Sequence, residues 1–71
     1  MKIVIYSKPG CILCDVAQDI ANEWEIQTTK KLIDSKELKE LTGETSYPQI
    51  MINDEHIGNH LDFDKFIKNA A

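Results

Sequence analysis

An apolar run near the start of the chain, followed after a short break by an amphipathic segment, constrains the fold more than any other feature. Residues 3–6 read Ile-Val-Ile-Tyr and are bounded by Ser7, Pro9 and Gly10. Such a run between turn residues is typical of a central strand buried on both faces. Apolar side chains then recur at helical spacing at Leu13, Val16, Ala17, Ile20, Ala21 and Trp24. This opening predicts a strand that leads directly into a helix.

The rest of the chain continues the alternation of strands and helices. Residues 25–33 favour a strand, and Asp34 or Ser35 is placed to cap a short helix that Gly43 ends. Residues 50–58 predict a hairpin that turns at Asn53-Asp54. A last helix is marked by Phe63, Phe66, Ile67 and Ala70. The predicted fold is α/β in the order βαβαββα, a four-stranded mixed sheet flanked by three helices, with the first two strands parallel.

Length and charge narrow the possible functions. The 71 residues leave room for a single domain, residues 1–71, with one modest core. The net charge is −4 and the basic residues are scattered, which argues against nucleic-acid binding. Because the first residues lack the long apolar region and cleavage site of a signal peptide, and no membrane segment is expected, we predict a cytoplasmic location. A monomer is the expected state for so small and acidic a domain.

The chemistry of the chain is concentrated in Cys11 and Cys14, which stand where the first strand gives way to the first helix. Unpaired N–H groups and the helix dipole at such a position stabilise a thiolate, so Cys11 is the candidate nucleophile. Cys14 lies one turn later and is placed to attack a mixed disulfide on Cys11. The spacing thus predicts a redox dithiol with Cys11 and Cys14 as its catalytic residues.

Two alternatives remain open at this point. Half of a zinc site has the same cysteine spacing, although the only histidines, His56 and His60, fall on a predicted strand and the turn after it. We expect no metal site, and we assign neither histidine an acid or base role; His56 is expected to be exposed and His60 to lie near the site. Lys8 either adds positive charge near the thiolate and meets a carboxylate, or is a solvated surface lysine.

Three segments together resemble the signature blocks of glutaredoxins, the small dithiol members of the thioredoxin-like superfamily. They are residues 7–14 (Ser-Lys-Pro-Gly-Cys-Ile-Leu-Cys), residues 41–50 (Leu-Thr-Gly-Glu-Thr-Ser-Tyr-Pro-Gln-Ile) and residues 56–63 (His-Ile-Gly-Asn-His-Leu-Asp-Phe). The blocks occur in the family order and span most of the chain. The resemblance implies a thioredoxin-like fold and a thiol-disulfide oxidoreductase.

The resemblance also implies a glutathione site. The proline that matches Pro48 is cis in the family, and the residue before it, here Tyr47, offers its backbone to the substrate. The block from Gly58 holds the γ-glutamyl end of glutathione in the family, with the helix N-terminus for the carboxylate and an aspartate, here Asp62, for the amine. Leu61 stands at a position that is often polar. Lys8 is a further candidate contact, on the charge argument given above. Without the resemblance, Pro48 is a turn proline, Asp62 a helix cap and Gly58 a strand end.

The chain departs from the family pattern at several positions that flank this site. Ile12 and Leu13 replace the common Pro-Tyr between the cysteines, Tyr47 replaces a valine, and Asn59 replaces the second glycine of a Gly-Gly pair. The favoured activity is reduction of protein disulfides and glutathione mixed disulfides, with glutathione as reducing co-substrate, no bound cofactor, and ribonucleotide reductase as a partner that the resemblance implies. The alternatives are a redoxin reduced by thioredoxin reductase, or an iron-sulfur carrier using Cys11.

Aromatic residues on the predicted helices are assigned to the core. Trp24, Phe63 and Phe66 lie on apolar stripes at helical spacing, which is typical of packing residues. Tyr6, on the first strand, is likewise expected to pack.

Overall fold

The computed structural model describes residues 2–70, which form the predicted βαβαββα order. The elements are β1 (Ile3–Ser7), α1 (Ile12–Glu23), β2 (Thr29–Leu32), α2 (Ser35–Thr42), β3 (Gln49–Ile52), β4 (Glu55–Gly58) and α3 (His60–Ala70). The strands form one sheet in the order β2-β1-β3-β4. β1 runs parallel to β2 and antiparallel to β3, and β3 and β4 form the antiparallel hairpin. The predicted fold class and strand directions are confirmed.

The core lies on one face of the sheet, where α1 and α3 pack against the strands and against each other. Side chains alternate along a strand, so Ile3 and Ile5 of β1 share this face with Ile50 and Ile52 of β3. All four are buried. The helices complete this cluster with Ala17, Ala21, Phe63 and Ile67.

The opposite face of β1 is only half covered, so the prediction of a strand buried on both faces is wrong for that face. Val4 and Tyr6 point there and are half-buried, as is Met51, which pairs with Val4. The helix α2 has eight residues and packs less closely against the sheet than α1 or α3 do. An apolar run shows that a strand is largely covered, but it does not show how far a neighbouring helix extends.

The predicted caps of α2 are present. The Asp34 side chain accepts a hydrogen bond from the backbone N–H of Glu37 over 2.8 Å, and Gly43 ends the helix in the left-handed conformation at φ 80°. β2 is shorter than the predicted segment 25–33, because Glu25 adopts a positive φ after α1 and the chain becomes extended only from Thr29. As an edge strand, β2 is exposed along its whole length.

The assignment of Trp24 to the core is wrong. Trp24 follows the last residue of α1 as its C-cap and is 41% exposed. The apolar spacing continues to Trp24 in the sequence, but the helix ends before it, so its side chain does not follow the buried stripe. Phe63 is fully buried and Phe66 packs against the core, as predicted, and Tyr6 is half-buried.

The topology places two loops side by side at one end of the sheet. β1 ends at Ser7 and leads to Cys11, while β3 begins at Gln49, which pairs with Tyr6 in the antiparallel register. The loop before β3 therefore lies next to the loop that carries Cys11. Within residues 2–70, no helix combines the length and apolar character that crossing a membrane requires.

Candidate active site

Cys11 is the N-cap of α1. Its backbone is extended, with φ −92° and ψ 108°, and its Sγ accepts a hydrogen bond from the backbone N–H of Cys14 over 3.2 Å. An anionic sulfur at this position is stabilised both by that donor and by the positive end of the helix dipole. Cys11 is half-buried, and both cysteines are free thiols. The arrangement favours a reactive thiolate at Cys11 with a second sulfur one turn away.

Cys14 has a different environment from Cys11. It is 2% exposed, and burial is the main reason that its pKa lies above the ordinary value of 9.0; a hydrogen bond with Cys11 acts in the same direction. The backbone of Lys8 and the side chain of Ser7 oppose this shift. The raised pKa favours the protonated thiol at Cys14. The two sulfurs are therefore chemically unequal.

Ser7 is a contributor to the site that the sequence analysis did not single out. It is fully buried at the end of β1, and its Oγ lies 3.4 Å from the carbonyl oxygen of Ile5. Side chains alternate between the two faces of β1, so Ser7 lies on the core face with Ile3 and Ile5. This alternation is the sequence signal that predicts the burial of Ser7. Its hydroxyl lies where it can stabilise charge on Cys14.

Lys8 and Tyr47 meet beside the cysteines. The Lys8 Nζ lies 5.2 Å from the centre of the Tyr47 ring, and the Tyr47 hydroxyl donates a 2.6 Å hydrogen bond to the carbonyl of Ile33. Partial desolvation, and then the charge of Asp34, raise the pKa of Tyr47, so the phenol keeps the proton that it donates. Tyr47 thus links the loop before β3 to the connection between β2 and α2. The Tyr47–Pro48 peptide bond is cis, as the resemblance implies.

An open cavity of about 600 Å³ extends from this pair of residues. Lys8 and Tyr47 form one side, and Asp34 and Ser35 at the N-terminus of α2 form another. The cavity therefore offers a cation, an aromatic face and a carboxylate to a bound molecule. Lys8 is exposed to solvent and lines this cavity, so its role as a contact for a carboxylate stays a prediction.

A second, smaller cavity of about 190 Å³ lies at the start of α3 and includes Gly58, Asn59 and Asp62. Asp62 Oδ2 accepts a 3.1 Å hydrogen bond from the backbone N–H of Asn59. Gly58 has φ 132°, and a β-carbon at this position would overlap the Asp62 carboxylate. Glycine is therefore required where Asp62 folds back over the chain. Leu61 is 66% exposed and lines neither of these two cavities.

His56 and Gln49 both line this second cavity and are in polar contact with each other. His56 Nε2 lies 2.7 Å from Gln49 Oε1, and Gln49 Nε2 donates to the carbonyl and hydroxyl oxygens of Ser46. His56 is half-buried, so the expectation of an exposed strand residue is wrong. Neither this contact nor the burial of Gln49, which is 3% exposed, follows from the sequence pattern, because the pattern does not show the strand register that brings the two residues together.

His60 follows Asn59, a lining residue of the second cavity, but does not itself line that cavity. His60 is the first residue of α3 and is half-buried, and its Nδ1 has no hydrogen-bond partner among the described residues. Across residues 2–70, no group of three or more His, Cys, Asp or Glu side chains is arranged to hold a metal ion.

The comparisons with known proteins agree with this arrangement. A family model described as Glutaredoxin matches residues 3–57. Glutaredoxin 1 of Escherichia coli strain K12 is 28% identical over 80 residues, which cover 96% of this chain and 94% of that protein. The solved structure of reduced E. coli glutaredoxin has a TM-score of 0.79 at 27% identity, over 97% of this chain and 95% of that chain.

A more distant structure supports the fold alone. A buckwheat glutaredoxin solved in complex with glutathione has a TM-score of 0.83 at 18% identity, over 96% of this chain and 69% of that chain. The family model covers most of the chain, and the solved structures share its architecture. The protein therefore belongs to the glutaredoxin family, thiol-disulfide oxidoreductases of the thioredoxin-like fold.

Proposed function

We propose that this protein reduces protein disulfides and glutathione mixed disulfides through Cys11 and Cys14 and is itself reduced by glutathione. The observation that carries the proposal is the asymmetry of the two sulfurs. Cys11 Sγ accepts an N–H hydrogen bond at a helix N-terminus, whereas Cys14 is buried with a raised pKa. The hydrogen-bond donor at the helix N-terminus stabilises the thiolate that a nucleophile needs, and burial keeps the resolving thiol protonated until the second step.

The reaction proceeds by two exchanges. The Cys11 thiolate attacks one sulfur of a substrate disulfide, forms a mixed disulfide and releases the other sulfur as a thiolate. Cys14 then loses its proton and attacks Cys11 Sγ, which releases the second substrate thiol and leaves a Cys11–Cys14 disulfide. Two glutathione molecules restore the dithiol by the same exchange and leave as glutathione disulfide. With a glutathione mixed disulfide as substrate, a second glutathione can replace Cys14 in the resolving step.

Glutathione is proposed to bind across the two cavities. Lys8 supplies a cation for a carboxylate, the Tyr47 backbone next to Pro48 supplies the β-like pairing, and Asp62 beside Gly58 supplies a carboxylate for the γ-glutamyl amine. The Leu61 side chain contributes an apolar contact at most, since it is exposed outside both cavities, whereas its backbone N–H in the first turn of α3 is a donor for the γ-glutamyl carboxylate. The structure of a buckwheat protein of the same fold with glutathione supports this choice of ligand class.

Single-cysteine variants test the proposal. We expect Cys11→Ser to lose all turnover of a glutathione mixed disulfide, because the nucleophile is gone. Cys14→Ser is expected to keep that turnover but to lose reduction of protein disulfides, which needs the resolving thiol. The assay couples glutathione to its reductase, with a low-molecular-weight mixed disulfide as substrate. Full activity of Cys11→Ser would refute the assignment of the nucleophile.

The reductant is tested in the same assay. A wild-type protein that turns over with thioredoxin reductase but not with glutathione would show that the alternative redoxin function is correct. The proposed setting is the cytoplasm, where reducing conditions maintain a thiol pool, and ribonucleotide reductase is the protein substrate to test first.

A further inference from the structure

The N-terminus of α3 is closed by the side chain of Asn59. Asn59 Oδ1 accepts hydrogen bonds from the backbone N–H groups of Leu61, over 3.0 Å, and of Asp62, over 3.2 Å. The N–H of Phe63 is already bonded to the backbone carbonyl of Asn59. Free N–H groups in the first turn of a helix are the donors that an anion uses. In this chain, two of those donors are already occupied.

The contact is reciprocal. Asp62 Oδ2 accepts the backbone N–H of Asn59 over 3.1 Å, so each of the two residues holds the other. The carboxylate can fold back in this way because Gly58 has no side chain to meet it. The closed helix end forms one wall of the 190 Å³ cavity, which also contains Glu44 and His56. A ligand carboxylate that enters this cavity meets a neutral amide oxygen where it needs donors.

We infer that Asn59 is a specificity-determining residue that weakens binding of the γ-glutamyl carboxylate of glutathione by occupying the Leu61 and Asp62 N–H groups. This inference rests on the proposed function, since it concerns the same site. The Asn59 amide must rotate away before a carboxylate can accept those hydrogen bonds. A glycine at this position has no side chain to compete. The protein therefore discriminates less between glutathione and thiols without a γ-glutamyl residue than it would if these N–H groups were free.

The test compares two reducing thiols that differ only in the γ-glutamyl residue, glutathione and cysteinylglycine. The quantity measured is the ratio of their kcat/KM values on one low-molecular-weight disulfide. For Asn59→Gly we expect this ratio to rise about tenfold, the effect of regaining one good charged contact. Asn59→Ser keeps a capping oxygen, so its ratio is expected to stay within about twofold of wild type. Asn53→Gly, in the β3–β4 turn, is the matched control and leaves the ratio unchanged.

An unchanged ratio in Asn59→Gly overturns the inference. If that variant fails to fold, Asn59→Ala removes the same oxygen with less backbone freedom, and its ratio decides in the same way. A wild type without glutathione turnover refutes the proposed function separately. In that case glutathione turnover gained by Asn59→Gly or Asn59→Ala still supports the inference, and its absence in both overturns it.

Discussion

Replacing Gly58 by alanine tests the geometry of the second cavity. The Gly58 φ of 132° is one that side-chain-bearing residues rarely adopt, and the added β-carbon would overlap the Asp62 carboxylate. Backbone strain of this kind costs about 1–3 kcal/mol. Displacing Asp62 also removes its hydrogen bond from the Asn59 N–H, worth about 1 kcal/mol. We expect Gly58→Ala to lower the free energy of unfolding by about 2–4 kcal/mol, which moves a urea midpoint down by roughly 2 M.

Gly43→Ala is the matched control. Gly43 also has a positive φ, 80°, but apart from its chain neighbours no described residue has an atom within 4 Å of a β-carbon built there. Gly43→Ala is therefore expected to lower the free energy of unfolding only by the cost of the left-handed backbone, about 1 kcal/mol. Urea unfolding followed by circular dichroism measures both variants, and the KM for glutathione should rise in Gly58→Ala alone. Equal midpoints for the two variants would contradict the assigned contact between Gly58 and Asp62.

Other predictions follow from burial and charge. Iodoacetamide at neutral pH should modify Cys11 long before Cys14, because burial and a raised pKa keep Cys14 as a thiol; mass spectrometry of timed samples would show equal labelling if this is wrong. The Cys14 pKa is higher in the folded protein, so the unfolded state loses the Cys14 proton first as the pH rises. The folded protein therefore keeps its full stability below about pH 9.0 and loses part of it as the pH rises through the folded pKa of Cys14. The reduced wild type should accordingly lose more unfolding free energy in alkali than Cys14→Ser. Phe63→Ala should cost about 3–5 kcal/mol in urea unfolding, whereas Trp24→Ala, at a 41% exposed residue, should cost less than about 1 kcal/mol; similar losses would contradict the described core. Lys8→Gln should raise the KM for glutathione several-fold with kcat unchanged, and a fall in kcat alone would contradict a role in binding.

The fold could be predicted from local patterns because each element is marked in its own segment. The apolar run of β1 is bounded by turn residues, and Asp34 and Gly43 stand at the two ends of α2 with the caps that such residues form. Parallel pairing of β1 and β2 follows from the helix that connects them. The turn residues between β1 and the amphipathic stripe of α1 likewise predict that Cys11 lies at the helix N-terminus.

The errors arose where several elements act together. Trp24 continues the apolar spacing, but a positive φ at Glu25 follows the end of the helix. The contact between His56 and Gln49 depends on the register of β3 and β4, which shifts between Ile50 and Met51. Neither property can be obtained from the spacing of residues along one segment. The cap of α3 was predicted only in part, because Asp62 was named as a helix cap but the hydrogen bonds that Asn59 Oδ1 accepts were not singled out.

The central claim is that Cys11 is the sulfur that attacks and Cys14 the one that resolves. Mass spectrometry of each single-cysteine variant after incubation with glutathione disulfide tests it most directly. We predict one glutathione adduct on Cys11 in Cys14→Ser, none on Cys14 in Cys11→Ser over the same time, and a Cys11–Cys14 disulfide without an adduct in the wild type. Rapid adduct formation on Cys14 together with an unmodified Cys11 would contradict the account.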